Sequence, residues 1–221
     1  MGGSLRDSGQ AFPVYIAAVA ALLFLAFAYF VVGQAGATRS SAQTAADAAA
    51  LAAAEDARTQ LREGWLGVIL DPGQWDGFLK GTAYYVSSAC QKAAAFAAKN
   101  DAVLLEDECD PLAGRPGFSV TVRTQGSVGL PGTKPRNAVA SATALIEAKC
   151  TFIRPEEPEP EETEPGPDPT GPDPEPTEPE PEPEPITGLT CDGEAWTIDP
   201  DDPVLPSAVD LFTVRLAGDD E

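Results

Sequence analysis

The chain begins with a long apolar stretch that has no polar side. No residue from Ser8 to Thr38 is charged, and the apolar part, Ala11 to Val32, is 22 residues long. At about 1.5 Å per residue this part forms a helix of roughly 33 Å, which matches a hydrocarbon core of about 30 Å. A buried core helix of that length normally keeps one polar side. The pattern therefore predicts a single transmembrane helix over residues 11–33.

A cleaved signal peptide is the alternative explanation of this stretch. Ala35, Gly36 and Ala37 resemble the small-residue site at which signal peptides are cut. However, the apolar region of a signal peptide is usually about 7–15 residues long and follows a positively charged segment. Here the run is longer, and Arg6 is offset by Asp7. We predict an uncleaved anchor, with the cleaved form as the alternative.

Helix-favouring residues continue beyond the apolar stretch. The segment 34–62 has no proline and one glycine, Gly36, and its centre, 47–54, consists mostly of alanine, the strongest helix former. Because small side chains let another helix approach closely, an alanine stripe at helical spacing predicts a helix-packing surface for a partner protein. The alternative is a solvated helix that alanine alone stabilises. The stripe consists of Ala42, Ala46, Ala49 and Ala53.

The remaining pattern predicts a second helix and several strands. After a turn at Asp71-Pro72-Gly73, apolar residues recur at helical spacing from Trp75 to Ala97, and Asn100 is placed to end the helix. Phe118 to Thr124 alternates apolar and polar residues, as a half-buried strand does. Further strand candidates are Ala144 to Phe152, Gly188 to Ile198 and Leu211 to Leu216. The predicted fold class is α+β: a long transmembrane helix that continues outside the membrane, a second helix and a small antiparallel sheet.

Residues 155–185 have an extreme composition. They contain 13 prolines and 13 of the 35 acidic residues, and the net charge of the chain is −21. Such a segment has almost no apolar surface to bury, so we predict a disordered spacer that favours the polyproline II conformation. A chain this acidic is not expected to bind nucleic acid.

These patterns divide the chain into six parts. The predicted parts are a cytoplasmic tail (1–10), the transmembrane helix (11–33), a protruding alanine-rich helix (34–63), an extracytoplasmic α+β domain (64–154), the spacer (155–185) and C-terminal strands that complete the domain (186–221).

The cysteines indicate on which side of the membrane the large part lies. Cys90, Cys109, Cys150 and Cys191 all follow the predicted membrane helix, and an even number of cysteines suits an oxidising exterior. We predict a single-pass protein of the cell membrane with its N-terminus inside and the bulk of the chain outside. Four cysteines allow three pairings. We favour Cys90 with Cys109 and Cys150 with Cys191.

Catalysis is not expected from this sequence. The chain has no histidine, which removes the usual serine–histidine, cysteine–histidine and histidine–metal arrangements. The widely spaced cysteines do not form a zinc pattern. We predict that the protein is not an enzyme and has no cofactor or metal site.

Residues on both sides of the apolar stretch carry a family resemblance. Gly9 and Gln10 precede the stretch, and Gln43 and Asp47 follow it within the segment Gln-Thr-Ala-Ala-Asp-Ala-Ala-Ala-Leu-Ala-Ala. This arrangement resembles the N-terminal signature of the Tad-type (tight adherence, Flp pilus) assembly proteins, in the TadG-like branch, over residues 6–58. Later segments of the chain look similar to actinobacterial members.

The resemblance implies a membrane-anchored, pilin-like or pilus-associated protein. Its expected partners are membrane lipid and, through the N-terminal helix, other pilus-assembly or pilin-like proteins. Prepilins that are processed usually carry a glutamate five residues after the cleaved glycine, whereas here Val14 follows Gly9 at that distance. The resemblance therefore favours an accessory component. The alternative function is a membrane-tethered extracellular binding module or adhesin.

Overall fold

The computed structural model describes residues 11–128, 134–154 and 184–218. Within these residues the α-helices are α1 (Ala11–Leu66), α2 (Asp76–Leu79), α3 (Val86–Lys99) and α4 (Ala208–Leu211). The strands are β1 (Ala102–Pro111), β2 (Gly117–Val128), β3 (Arg136–Ala148), β4 (Cys150–Phe152), β5 (Ile186–Cys191), β6 (Glu194–Ile198) and β7 (Phe212–Leu216).

The strands form two antiparallel sheets. One has the order β1-β2-β3-β7 and the other the order β4-β5-β6. The chain passes from the first sheet to the second at Lys149, whose N–H donates to the carbonyl of Leu211 and whose carbonyl accepts from the N–H of Asp192. The predicted α+β class with antiparallel pairing is confirmed, although the strands divide between two sheets.

Helix α1 has two halves with different surroundings. It is 56 residues long, about 84 Å. From Phe12 to Ser41 its residues are exposed or partly exposed, whereas from Ala42 onward a broad side is buried. This second half lies against β2 and β3, with α3 alongside. We call the part of the protein formed by residues from Ala42 onward the head.

The core of the head forms between α1 and the first sheet. Strand β2 turns Phe118, Val120 and Val122 inward, and each of these side chains is fully buried. On the facing side α1 presents mainly alanines, which allow the helix to lie close to both the sheet and α3. The head is therefore two layers thick, with helices on one face of a four-stranded sheet.

Aromatic residues join α1 to the second sheet. The ring centroids of Trp65 and Trp75 lie 5.3 Å apart, and those of Trp75 and Phe152 lie 4.7 Å apart. The indole N–H of Trp75 donates to the carbonyl of Val68 at 3.0 Å. We call this end of the head, at Leu66, the distal end, and the end at Ala42 the proximal end.

The predicted second helix is interrupted in the structure. Instead of one helix from Trp75 to Asn100, α2 ends at Leu79 and α3 begins at Val86. Gly81 lies between them with a φ of +73°, a conformation that L side chains rarely adopt, and a Cβ there would lie 3.1 Å from Pro116. Apolar spacing alone did not reveal this break.

Strand β1 was not predicted. Its register with β2 shifts between Leu104 and Cys109, and Asp107 within that bulge has a φ of 56°. The acidic run from Glu106 to Glu108 hides the alternation that marks a half-buried strand. The predicted tail 1–10, and the predicted spacer apart from residues 184 and 185, lie outside the described residues.

Candidate functional site

The first half of α1 is an exposed apolar rod. It lies within the segment Phe12–Leu66, which contains an 18-residue window of mean hydropathy 2.6, and no residue of that window is buried. Exposed fractions reach 70% for Phe24 and 83% for Tyr29. A continuous apolar surface of this size is unusual in a soluble monomer. Length and composition make this helix suitable for one membrane crossing.

The alanine stripe lies in the core of the same chain. Ala42, Ala46, Ala49 and Ala53 are all 0% exposed, and α3, β2 and β3 are the elements packed on this part of α1. These residues do pack a helix, but against elements of their own head, because close approach of α1 to the sheet needs small side chains. The structure thus corrects the expectation that the stripe faces a partner protein and that residues 34–63 stand apart from the domain.

Gln43 and Asp47 connect α1 to the sheet. The amide nitrogen of Gln43 donates to the carboxylate of Asp47 at 2.8 Å and to the backbone carbonyl of Ser141 in β3 at 3.3 Å. The two side chains stand one helical turn apart, so the carboxylate orients the amide towards the strand. This contact lies at the proximal end of the head, where the exposed rod becomes a buried helix. Gly9 and Gln10, the other two motif residues, lie outside the described residues.

Both favoured disulfides are present. Cys90 in α3 is bonded to Cys109 in β1, and Cys150 in β4 is bonded to Cys191 in β5. The first links a helix to the edge strand of the sheet. The second joins directly opposite residues of two strands and closes the loop that contains the acidic segment. The pairing supports an oxidising environment for the head.

A surface groove follows the contact between α1 and α3. Its lining is apolar at Leu51, Ala52 and Phe96, and charged at Glu55 and Lys92, around a volume of about 550 Å³. Sequence reasoning did not identify it, because its lining combines residues of two helices that are distant in sequence. Leu51, an isolated leucine in the alanine-rich segment, was the feature of the sequence that could have indicated this groove.

A second groove lies at the distal end of the head. It has a volume of about 690 Å³ and is lined by residues that include Glu63, Phe78, Tyr84 and Tyr85. Burial raises the pKa of Tyr84 above its ordinary value of 10.0, and a hydrogen bond with the Gly117 backbone partly opposes this shift. Its ring lies 5.4 Å from that of Phe118, between centroids. Tyr85, in contrast, is 79% exposed.

Comparison with known proteins identifies one matching segment. Residues 9–58 match the family model Tad, described as "Putative Flp pilus-assembly TadE/G-like". The match covers the exposed rod and the first turns of α1 inside the head, including Gln43 and Asp47, and it confirms the resemblance over this segment. It indicates a pilus-related component. No curated protein and no solved structure matches the chain.

Proposed function

We propose that this protein is a single-pass membrane protein that serves as a pilin-like or accessory component of a Tad/Flp-type pilus assembly or secretion system. The observation that carries the proposal is the overlap of the family match with the exposed rod. The segment that matches the Tad model, residues 9–58, contains the exposed apolar rod together with the helical segment that anchors the head.

The continuous helix explains how such a component positions its head. No break separates the rod from the buried half of α1, and the Gln43–Asp47 contact attaches the helix to β3 where the two halves meet. One continuous helix therefore joins the rod to the head. The two disulfides support a head outside the cytoplasm, with the N-terminal tail inside.

Contacts with partner proteins must use surfaces other than the alanine stripe. The exposed apolar rod is one such surface, because helices within a membrane associate through close packing. A Cβ placed at Gly33 or at Gly36 would meet no neighbouring atom within 4 Å, so a partner helix has room to approach there. The protein has no proposed catalytic role and needs no cofactor in this function.

Photo-crosslinking in intact membranes tests this proposal. A photoreactive amino acid at Phe24 or Tyr29 should crosslink to other pilus-assembly proteins, whereas the same amino acid at Leu70, 66% exposed in the head, is the matched control position. Cleavage of the head by protease added to spheroplasts shows whether the head lies on the outer side of the membrane. Crosslinks to lipid alone from both rod positions, or a head protected from external protease, would contradict the proposal.

The distal groove favours a second candidate function, a membrane-tethered binding module. It combines aromatic surface at Phe78 and Tyr85 with the carboxylate of Glu63, features common in ligand sites. In that case Tyr85→Ala should abolish retention of the protein by an extracellular or cell-wall fraction. A variant that is retained like the parent protein would dismiss this candidate.

A further inference from the structure

At the end of the head nearest the membrane rod, positive charges outnumber negative ones. We define the proximal cations as Lys99, Arg123, Lys134 and Arg136 of the head together with Arg39, which lies on α1 just before the head. All five are exposed. They come from four separate parts of the chain: α1, the end of α3, β2 and the start of β3. The fold, not sequence proximity, brings them to one end.

Strand register places the β2–β3 hairpin at this end. Ser127 is paired with Asn137, and the next pair joins the backbones of Val128 and Arg136. Gly126 and Ser127 share a small groove with Gln34 and Thr38 of α1. Since β2 runs towards the proximal end, Arg136 and Lys134 lie at about the level of the rod just beyond its apolar part.

Lys99 and Arg123 lie close to the same groove. Asp101, two residues after Lys99, lines the groove, and its carbonyl accepts a hydrogen bond from the N–H of Gln125. Arg123 precedes Thr124, another lining residue, and points to the outer face of the sheet. Asp101 and Asp47 contribute two negative charges at this end.

The proximal cations lack ionic partners within the described residues. The ion pairs found there involve Arg58, Lys80, Lys149 and Arg215. Lys99 lies 4.4 Å above the ring of Phe96, a contact that leaves its charge uncompensated. Near the distal end of α1, Glu63 and Asp71 are exposed, and Asp76 is paired with Lys80. The proximal end of the head therefore carries positive charge that no ion pair among the described residues compensates.

The length of the rod sets the distance between these charges and the lipid. Arg39 lies seven residues, about 10 Å, beyond Val32, the last residue of the apolar part. The headgroup layer extends about 5–7 Å beyond the hydrocarbon on each side. Membrane helices tilt by about 20° on average, which lowers one side of the head. The proximal cations are therefore within reach of lipid phosphates.

We propose that the proximal end of the head docks on anionic phospholipid headgroups, with the proximal cations as the contact surface. This inference rests on the proposed membrane anchoring. Docking would hold the head against the bilayer and set the tilt of the continuous helix α1.

Lysine acylation of the full chain in lipid nanodiscs tests this inference. The chain is inserted into discs of phosphatidylcholine alone or with about 30 mol% phosphatidylglycerol, and acylation by a membrane-impermeant reagent is measured for each lysine by mass spectrometry. Co-elution with the discs reports anchoring separately, so a failure of docking is distinguishable from a failure of the proposed function.

Docking predicts selective protection in the anionic discs. A surface potential of about −30 mV lowers the local pH by about half a unit, which alone slows amine acylation about threefold. We expect Lys99 and Lys134 to be slowed at least about threefold, relative to the exposed Lys80 and Lys92, and to recover at about 1 M salt. Equal rates in neutral and anionic discs would overturn the proposal.

Charge variants provide a matched control. Arg123→Gln combined with Arg136→Gln should remove most of the protection at Lys99 and Lys134. The control combines Arg115→Gln with Lys80→Gln. It also removes two positive charges, but at positions outside the proximal end, and should leave the protection of Lys99 and Lys134 unchanged. Equal effects of the two double variants would contradict docking. Protection in neutral discs that increases with protein density would assign this surface to a second copy of the chain and would also overturn the proposal.

Discussion

At the residue scale, the contact of Gln43 with Asp47 and Ser141 gives two motif residues a physical role. A side-chain amide that bridges a carboxylate and a strand carbonyl resists rotation of α1 against the sheet. The same two residues lie in the segment that matches the Tad model. The motif therefore describes how the exposed rod is joined to the head.

Loss of the Gln43 amide should weaken this junction. Gln43→Ala removes one hydrogen bond to β3 and leaves a less constrained carboxylate, so we expect a loss of about 1 kcal/mol in the free energy of unfolding. Thermal unfolding of the full chain in detergent measures it. The control is Thr44→Ala, because the Thr44 hydroxyl bonds only to Ser40 of its own helix. Equal melting temperatures for both variants would refute the role of the junction.

Enlargement of the buried alanines should destabilise the head directly. At Ala49, which is 0% exposed, leucine must displace atoms of the core, at a cost of about 1–3 kcal/mol. Ala94→Leu on the exposed side of α3 is the control and should change stability by less than about 0.5 kcal/mol. Equal stability of Ala49→Leu and the parent protein would indicate that the stripe is not in the core.

The raised pKa of Tyr84 predicts an alkaline limit to stability. Because the folded state holds this proton more tightly than the unfolded chain, the stabilisation is complete below about pH 10 and is lost as the pH rises through the pKa of the folded state. Unfolding free energies measured across this range should fall more steeply for the parent protein than for Tyr84→Phe. Parallel curves would count against burial of the hydroxyl.

At the scale of elements, the two disulfides constrain loops of different length. Cys150 and Cys191 are 41 residues apart, whereas Cys90 and Cys109 are 19 apart. In the chain-entropy model, removal of the longer crosslink costs about 4 kcal/mol and removal of the shorter about 3 kcal/mol. Two variants, each with both cysteines of one disulfide replaced by serine, test this order when their free energies of unfolding are measured with denaturant. A clearly larger loss of unfolding free energy in the variant without the Cys90–Cys109 disulfide would contradict the predicted order.

At the scale of the whole molecule, the buried half of α1 determines where the head begins. A fragment that starts at Gly64 lacks the helix that fills the core, including Ala46, Ala53 and Leu61. We expect it to remain unfolded, whereas a fragment that starts at Arg39 should fold and stay soluble. Near-ultraviolet circular dichroism distinguishes the two outcomes. A folded Gly64 fragment would mean that α1 is an accessory to the domain rather than its centre.

The sequence alone determined the features that arise from local composition. The apolar rod, the long helix after it, strand β2 and the α+β class follow from periodicity and residue preferences within short windows. The Tad resemblance also rests on a continuous segment. The disulfide pairing was favoured among three possibilities, and the structure has that pairing.

Only the tertiary structure decided which surfaces face solvent and which face the core. The spacing of the alanine stripe is the same whether a partner or the chain's own sheet covers it, so its burial under β2, β3 and α3 depended on contacts from residues distant in sequence. The break at Gly81 and the bulge that hides β1 likewise depend on neighbouring strands. Strand register brings Arg123 and Arg136 to one end, and the packing of α3 against α1 brings Lys99 there. Local patterns encode neither of these arrangements.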